Sequence, residues 1–343
     1  MNESSDIVPY FFRKIVGQSG PKEILFRFQT QNRIPASLCF TGPSGIGKKT
    51  IGLNFIAKDL CSMSQKEIFS GCGKCPSCIK IANKNHPDFL FLEPQGITIK
   101  IDQIRELIKW CSFHSFHGKK RWILIDQAHL MTTQAQNSLL KTLEEPPSQC
   151  HFILISDSYE ALLPTIRSRC QLVRFHHLSL EQVMDVLKSL PLDHELQKPL
   201  AILSNGSPGY AFQIAEEEIV EIRKYILETL CKILQKNNKE EALWLALVLS
   251  KKISQEKQQK NLILRILQSF LRDLGFLKLG MPQEKLFNQD YFAQLRRLDK
   301  VSIDRILNGH RILTSLERDF RYNSNLELSY NRVFQNMIEI VYA

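Results

Sequence analysis

The stretch Thr41-Gly42-Pro43-Ser44-Gly45-Ile46-Gly47-Lys48-Lys49-Thr50 follows the apolar run Leu38-Cys39-Phe40 and leads into a helix-like segment from Ile51 to Leu60. It reads as strand, phosphate loop and helix. Glycines at 42, 45 and 47 let backbone N–H groups turn toward a phosphate, the helix start adds its positive dipole end, and Lys48 is placed to reach the terminal phosphates. The pattern G-x-x-x-x-G-K then calls for Ser or Thr, whose hydroxyl binds the Mg²⁺ bridging the phosphates; this chain has Lys49 there. Thr50 comes one residue late, a rotation of about 100° on a helix, so it does not substitute for the missing ligand. The expectation is a phosphate loop with a damaged metal end.

A second acidic position belongs to the same reading. The apolar run Trp122-Ile123-Leu124-Ile125 ends at Asp126-Gln127, where phosphate-loop ATPases place an acid that holds Mg²⁺ through water and a following Glu that activates the attacking water. Asp126 is present, but Gln127 replaces the Glu and cannot act as a base near neutral pH. A further strand, Phe152-Ile153-Leu154-Ile155, ends at Ser156-Asp157. The candidate nucleotide set is therefore Gly42, Gly45, Gly47, Lys48, Thr50, Asp126 and Ser156, with ATP and Mg²⁺ binding conceivable and hydrolysis not expected. Upstream, Ile15-Val16-Gly17-Gln18 suits either packing on an adenine ring or a loop tucked onto the core.

Around these landmarks the apolar segments alternate between strand and helix. His86 to Leu92 reads as a turn into a buried strand, residues 101–111 as a helix with apolar positions 101, 104, 107, 108 and 111, and Leu172-Val173-Arg174-Phe175 as a fifth strand. Thr133-x-x-Gln136 reads as a capping box opening a helix that stops at Glu144-Glu145-Pro146-Pro147. Five apolar strands with intervening helices predict a parallel sheet covered on both faces. From about Glu216 onward only helical stretches appear, punctuated at Asn237-Asn238-Lys239 and Gly280-Met281-Pro282.

Four of the nine cysteines fall in one window, Cys61, Cys72, Cys75 and Cys78, in a C-x10-C-x2-C-x2-C arrangement. Tight C-x-x-C turns aim thiolates at one tetrahedral ion, and four cysteine ligands leave no open position for a catalytic water. A structural zinc is expected, stapling an insertion at 61–78. Cys39, Cys111, Cys150, Cys170 and Cys231 read as packed thiols. No apolar run approaches the roughly 18 residues that span a bilayer, and the polar, acidic start Met1-Asn2-Glu3-Ser4-Ser5-Asp6 is unlike a signal peptide, so no membrane association and a cytoplasmic protein are expected. A net charge of +10 favours an acidic partner such as nucleic acid, although scattered cations on solvated faces give the same total.

The loop Gly42–Lys48, the four cysteines, the run Asn137-Ser138-Leu139-Leu140-Lys141-Thr142-Leu143-Glu144-Glu145-Pro146-Pro147 and Ser168-Arg169-Cys170 together resemble the bacterial clamp-loader branch of the AAA+ superfamily. The resemblance runs from about Ile15 to Ala215 and weakens beyond. It implies an α/β AAA+ core over 1–176, a helical lid over 177–216 and an all-α collar over 217–343. It implies that Arg169 is a finger reaching the ATP of a neighbouring subunit, a role that needs only rigidity and position. Active motors of the branch resemble G-S-x-R-D-A where this chain has Gly206-Ser207-Pro208-Gly209-Tyr210-Ala211, so Gly209 stands in place of a phosphate-sensing Arg. Asn323-x-Asn325-Leu326-Glu327-Leu328 resembles a late collar segment.

The implied partners are gamma/tau-like ATPase subunits and a delta-like subunit in a hetero-oligomeric ring, a sliding clamp and, through the assembly, primed DNA. The leading expectation is a stator rather than a motor; an active ATPase motor and a zinc-dependent nucleic-acid-binding module are the alternatives.

Overall fold

The computed structural model describes residues 15–63, 70–113, 120–147, 149–188, 194–215, 217–256, 259–298, 302–319 and 326–342. The Met1–Asp6 segment and Asn323 to Asn325 lie outside them. Contacts group the chain into two compact units, Met1–Asp185 with Gly206–Gly209, and Val186–Asn205 with Tyr210–Ala343.

The first unit runs α1 (Ser19–Thr30), β1 (Ser37–Thr41), α2 (Lys48–Leu60), α3 (Pro76–Ala82), β2 (Phe89–Leu92), α4 (Ile101–Cys111), β3 (Arg121–Ile125), α5 (Thr133–Glu144), β4 (Cys150–Ser156), α6 (Pro164–Arg167) and β5 (Gln171–Arg174). The strands form one five-stranded sheet in the order β2-β3-β4-β1-β5. All pairings are parallel, with Phe40 opposite Ile155 and Val173, and Phe91 opposite Leu124. Every residue of β1 and β3 is buried. That explains why these strands read as unbroken apolar runs instead of alternating ones: helices cover both faces. Phe40, Phe55, Trp122 and Phe152 are fully buried, and Phe55 meets Trp122 edge-on at 5.4 Å between ring centroids.

Because β1 lies between β4 and β5 while its own crossover leads to the distant edge strand β2, the chain leaves the carboxyl ends of β1, β3 and β4 side by side. A crevice at that edge is where open parallel sheets bind ligands. The helix after β3 departs from the sequence expectation by one residue. Its N-cap is Thr132, whose hydroxyl accepts from the Ala135 N–H at 3.2 Å. Gln136 makes no capping box. Its amide donates to the carbonyls of Met131 and Ala161 and accepts from the Leu163 N–H at 2.8 Å, tying α5 to the start of α6.

The second unit is helical: α8 (His194–Leu203), α10 (Glu217–Gln235), α11 (Lys239–Gln255), α12 (Lys260–Lys278), α13 (Phe292–Arg296), α14 (Ile303–Asp319) and α15 (Leu326–Tyr342); α7 (Leu180–Leu187) and α9 (Pro208–Ile214) cross between the two units. α11 packs on α15, and α12 touches α8, α10, α13 and α14. Two buried charge clusters fix the segment before α13. Asp273, fully buried, accepts from the N–H groups of Phe287 (2.9 Å) and Asn288 (2.6 Å), which act against the upward pull of burial on its pKa. Arg223 grips Asp290 at 2.7 Å and Asn288 at 2.8 Å.

Phe152 sits at the middle of the sheet with no exposed surface. Phe152→Ala is expected to cost about 3–5 kcal/mol in urea-induced unfolding of the full chain, through lost burial and the cavity left behind.

Candidate functional site

The carboxyl ends of β1, β3 and β4 hold the phosphate loop, Asp126 and Asp157. Gly42 can only be glycine: a Cβ there would lie 2.4 Å from the Phe175 carbonyl oxygen. Gly47, in the left-handed region at φ 96°, caps α2 without a side-chain bond. The loop therefore has the backbone its sequence predicts.

The lysines point elsewhere. The Lys48 ammonium, 4% exposed, donates to the carbonyls of Gly42 and Pro43 at 2.6 Å each and to Asp157 Oδ1 at 2.8 Å. All three of its protons are used inside the chain. Lys49 Nζ lies 2.9 Å from Asp126 Oδ2 and 3.9 Å from Glu93 Oε2, above the Phe91 ring at 4.6 Å. The cation beside Asp126 is thus an ammonium, at the carboxylate that related sites use to hold Mg²⁺ through water. The partners Asp157 and Glu93 were missed by sequence reasoning, which followed motif positions and had no signal for which carboxylate faces which lysine. Of the other candidates, Ser156 is buried with its hydroxyl on the Ser158 carbonyl, and the Thr50 carbonyl accepts from Asn54.

Residues 206–209 close over the loop. Ser207 Oγ donates to the Ser44 carbonyl at 2.9 Å, and the Gly209 N–H donates to the Gly45 carbonyl at 2.8 Å. A Cβ on Gly209 would stand 2.8 Å from Gly45 Cα. Glycine here does more than omit an arginine, because it lets two backbones touch. Gln18 joins the Ile15–Gln18 segment to the other end of the site, donating to the His176 carbonyl at 2.6 Å and accepting from the His176 N–H at 3.2 Å. A cavity of about 530 Å³ lined by Gln18, Ile24, His176 and Leu178 lies beside it. This arrangement can anchor the segment with or without a base.

Arg169, at the turn between α6 and β5, is held at three points. Nη1 donates to the Thr165 carbonyl at 2.7 Å and to Ser168 Oγ at 3.2 Å, and Nη2 pairs with Glu144 at the end of α5. The two motifs that carried the family resemblance, around 144 and 169, therefore meet in space.

The four cysteines converge. Cys61, Cys72, Cys75 and Cys78 place their sulfurs within 4.8 Å of one another, with Cys61 to Cys75 at 3.8 Å and Cys72 to Cys78 at 3.9 Å. A tetrahedral ion with metal–sulfur bonds of about 2.3 Å requires about 3.8 Å between sulfurs, so this set fits a Zn²⁺-sized ion. The N–H groups of Met63, Cys75 and Cys78 donate to Cys61, Cys72 and Cys75 sulfurs, the outer support thiolate ligands need. Burial acts to raise the Cys75 pKa, but hydrogen bonds from Ser62 and Cys78 outweigh it and bring it down to about 6. The group can hold a metal; its closed shell of sulfurs offers no place for a reacting water.

Sheet order and phosphate loop define an AAA+ module joined to a helical second unit. A family model described as "DNA polymerase III, delta subunit" matches residues 17–179, and one described as "DNA polymerase III, delta subunit, C terminal" matches residues 218–333. The DNA polymerase III subunit delta' of Pseudomonas aeruginosa is 34% identical over 201 residues, covering 57% of this chain and 60% of that protein. Subunit delta' of Bacillus subtilis is 28% identical over 306 residues, 89% of this chain and 91% of that protein. Subunit gamma of Buchnera aphidicola subsp. Schizaphis graminum is 27% identical over 354 residues, 98% of this chain and 92% of that protein. The chain belongs to the delta' family of DNA polymerase III subunits.

Two outcomes follow. Cys72→Ser is expected to abolish metal binding by the four-cysteine cluster, read by elemental analysis of the purified protein, and to lower its melting midpoint to that of the chelator-treated wild type. Gly209→Ala is expected to cost about 1–3 kcal/mol in urea unfolding, since the new methyl meets backbone that cannot rotate away.

Proposed function

We propose that this chain is the stator of a DNA polymerase III clamp loader. It sits in a hetero-oligomeric ring with gamma/tau-like ATPases and a delta-like subunit, and presents Arg169 to the ATP of a neighbour so that a sliding clamp is loaded onto primed DNA. The observation that carries this reading is the internal satisfaction of the phosphate loop: Lys48 is spent on Asp157 and two carbonyls, and Lys49 stands beside Asp126. A loop whose cations already have partners gains little from a nucleotide, and Gln127 supplies no base for hydrolysis. Arg169 asks nothing of that site. Its guanidinium is pre-set by Thr165, Ser168 and Glu144, and a neighbour's γ-phosphate has only to displace the Glu144 carboxylate.

In this reading residues 177–216 serve as lid and 217–343 as collar, Cys61, Cys72, Cys75 and Cys78 hold a structural zinc, and the assembly works in the cytoplasm. No described helix is long and apolar enough to cross a membrane. A motor reading is favoured by the near full-length likeness to a gamma subunit, and it parts from the stator reading at Lys49, Gln127 and Gly209.

Phosphate release with primed DNA and clamp separates the two. The chain alone is expected to be inert, and the mixture with its ATPase partner to lose stimulated turnover with Arg169→Ala at unchanged assembly. Because an arginine finger is worth about 10³–10⁵ in rate, loss at one ring site shows as a partial drop. Hydrolysis by the chain alone, abolished by Lys48→Ala, contradicts the stator reading.

A further inference from the structure

The second unit carries a basic groove that the stator role does not use. Helix α12 is largely enclosed: between Leu262 and Leu274 nearly every residue is buried. Only Arg265, Gln268 and Arg272 reach solvent in that span, and with exposed Asn261 they form one stripe at spacings of four, three and four residues, a single face of the helix. This stripe lines a cavity of about 820 Å³ together with Lys260, Asn205 and His310. None of the lining residues is acidic.

The cations are positioned rather than loose. Arg265 donates to the Leu203 carbonyl at 2.9 Å and lies over the Tyr210 ring at 4.7 Å. Arg272 lies between Phe276 and Phe287 at 3.9 and 3.4 Å, beside the buried Asp273 that offsets part of its charge. Lys260 opens α12, where the helix dipole adds to its charge. Lys260 and Arg272 are twelve residues apart, which is about 18 Å along the axis, longer than any single phosphate group.

We propose that this groove binds the phosphodiester backbone of a nucleic acid strand. A row of cations interleaved with side-chain amide donors (Asn261, Gln268) is the composition that contacts phosphate oxygens. The rings of Tyr210, Phe276 and Phe287 are taken up by arginines, and the cations along the groove recognise the backbone without regard to base. Phosphate contact by a few cations gives a salt dependence that can be counted.

The test is fluorescence anisotropy of a short single-stranded DNA oligonucleotide with the full chain over a range of salt concentrations. Each lost phosphate contact is expected to flatten the plot of log K against log salt by about 0.7, so the double variant Lys260→Gln/Arg265→Gln is expected to flatten it by about 1.4 and weaken binding at low salt. Gln268→Glu, which leaves the contacts holding α12 intact, is expected to weaken binding several-fold with an unchanged melting midpoint. Unchanged affinity and slope in both variants, or no binding by the wild type, overturns the proposal. Equal displacement of the oligonucleotide by polyglutamate assigns the groove to an acidic polypeptide, and full displacement by tripolyphosphate at matched phosphate concentration assigns it to a small polyphosphate; either also overturns it.

Discussion

Two lysine–carboxylate pairs at the carboxyl edge of the sheet determine what the first unit can do. Lys48 with Asp157 and Lys49 with Asp126 join the ends of β1, β4 and β3 through groups that, in a working phosphate-loop site, would face phosphate and metal. Each lysine can serve one partner set at a time. A nucleotide entering would have to pull Lys48 from three internal acceptors and bring a divalent ion to a carboxylate that already has an ammonium 2.9 Å away. The substitution at position 49 therefore supplies a resident cation where the motors supply a hydroxyl for Mg²⁺.

The remaining features of the unit agree with that state. Gly209 allows the 206–209 turn to bond directly to the loop, where a larger side chain would hold it off. The cysteine cluster holds the insertion after α2 against that same helix, with Gly71 tight beside both Cys78 and Ala57. Arg169 is held at the end of α5 and beside α6 by Glu144, Thr165 and Ser168, none of which belongs to the phosphate loop. The proposed stator role needs only this arrangement: an internally satisfied loop and an Arg169 held apart from it.

Much of this was legible in the sequence because it rests on local rules. The β1 and β3 runs, the helix over 101–111, the glycine positions of the loop and the cysteine spacing each follow from short-range geometry, and the structure places them as expected. The substitutions at 49, 127 and 209 were equally visible. Their consequences were not, because Asp157 and Glu93 are brought to the lysines by the parallel sheet and no local spacing encodes that pairing. The capping box at Thr133 failed for a related reason: Thr132 had already taken the cap, and a tertiary contact to α6 competed successfully for the Gln136 side chain. The stripe on α12 was hidden because a helix amphipathic by sequence does not announce which polar face will line a cavity.

The most direct test of the central claim is calorimetric titration of MgATP into the isolated full chain, alongside Lys49→Thr. The account predicts no saturable binding by the wild type at millimolar MgATP, and Mg²⁺-dependent binding gained by Lys49→Thr, because that change removes the resident cation and restores the hydroxyl. Micromolar, Mg²⁺-dependent binding by the wild type would contradict it, since Lys48 and Asp126 would then be free to serve a nucleotide after all.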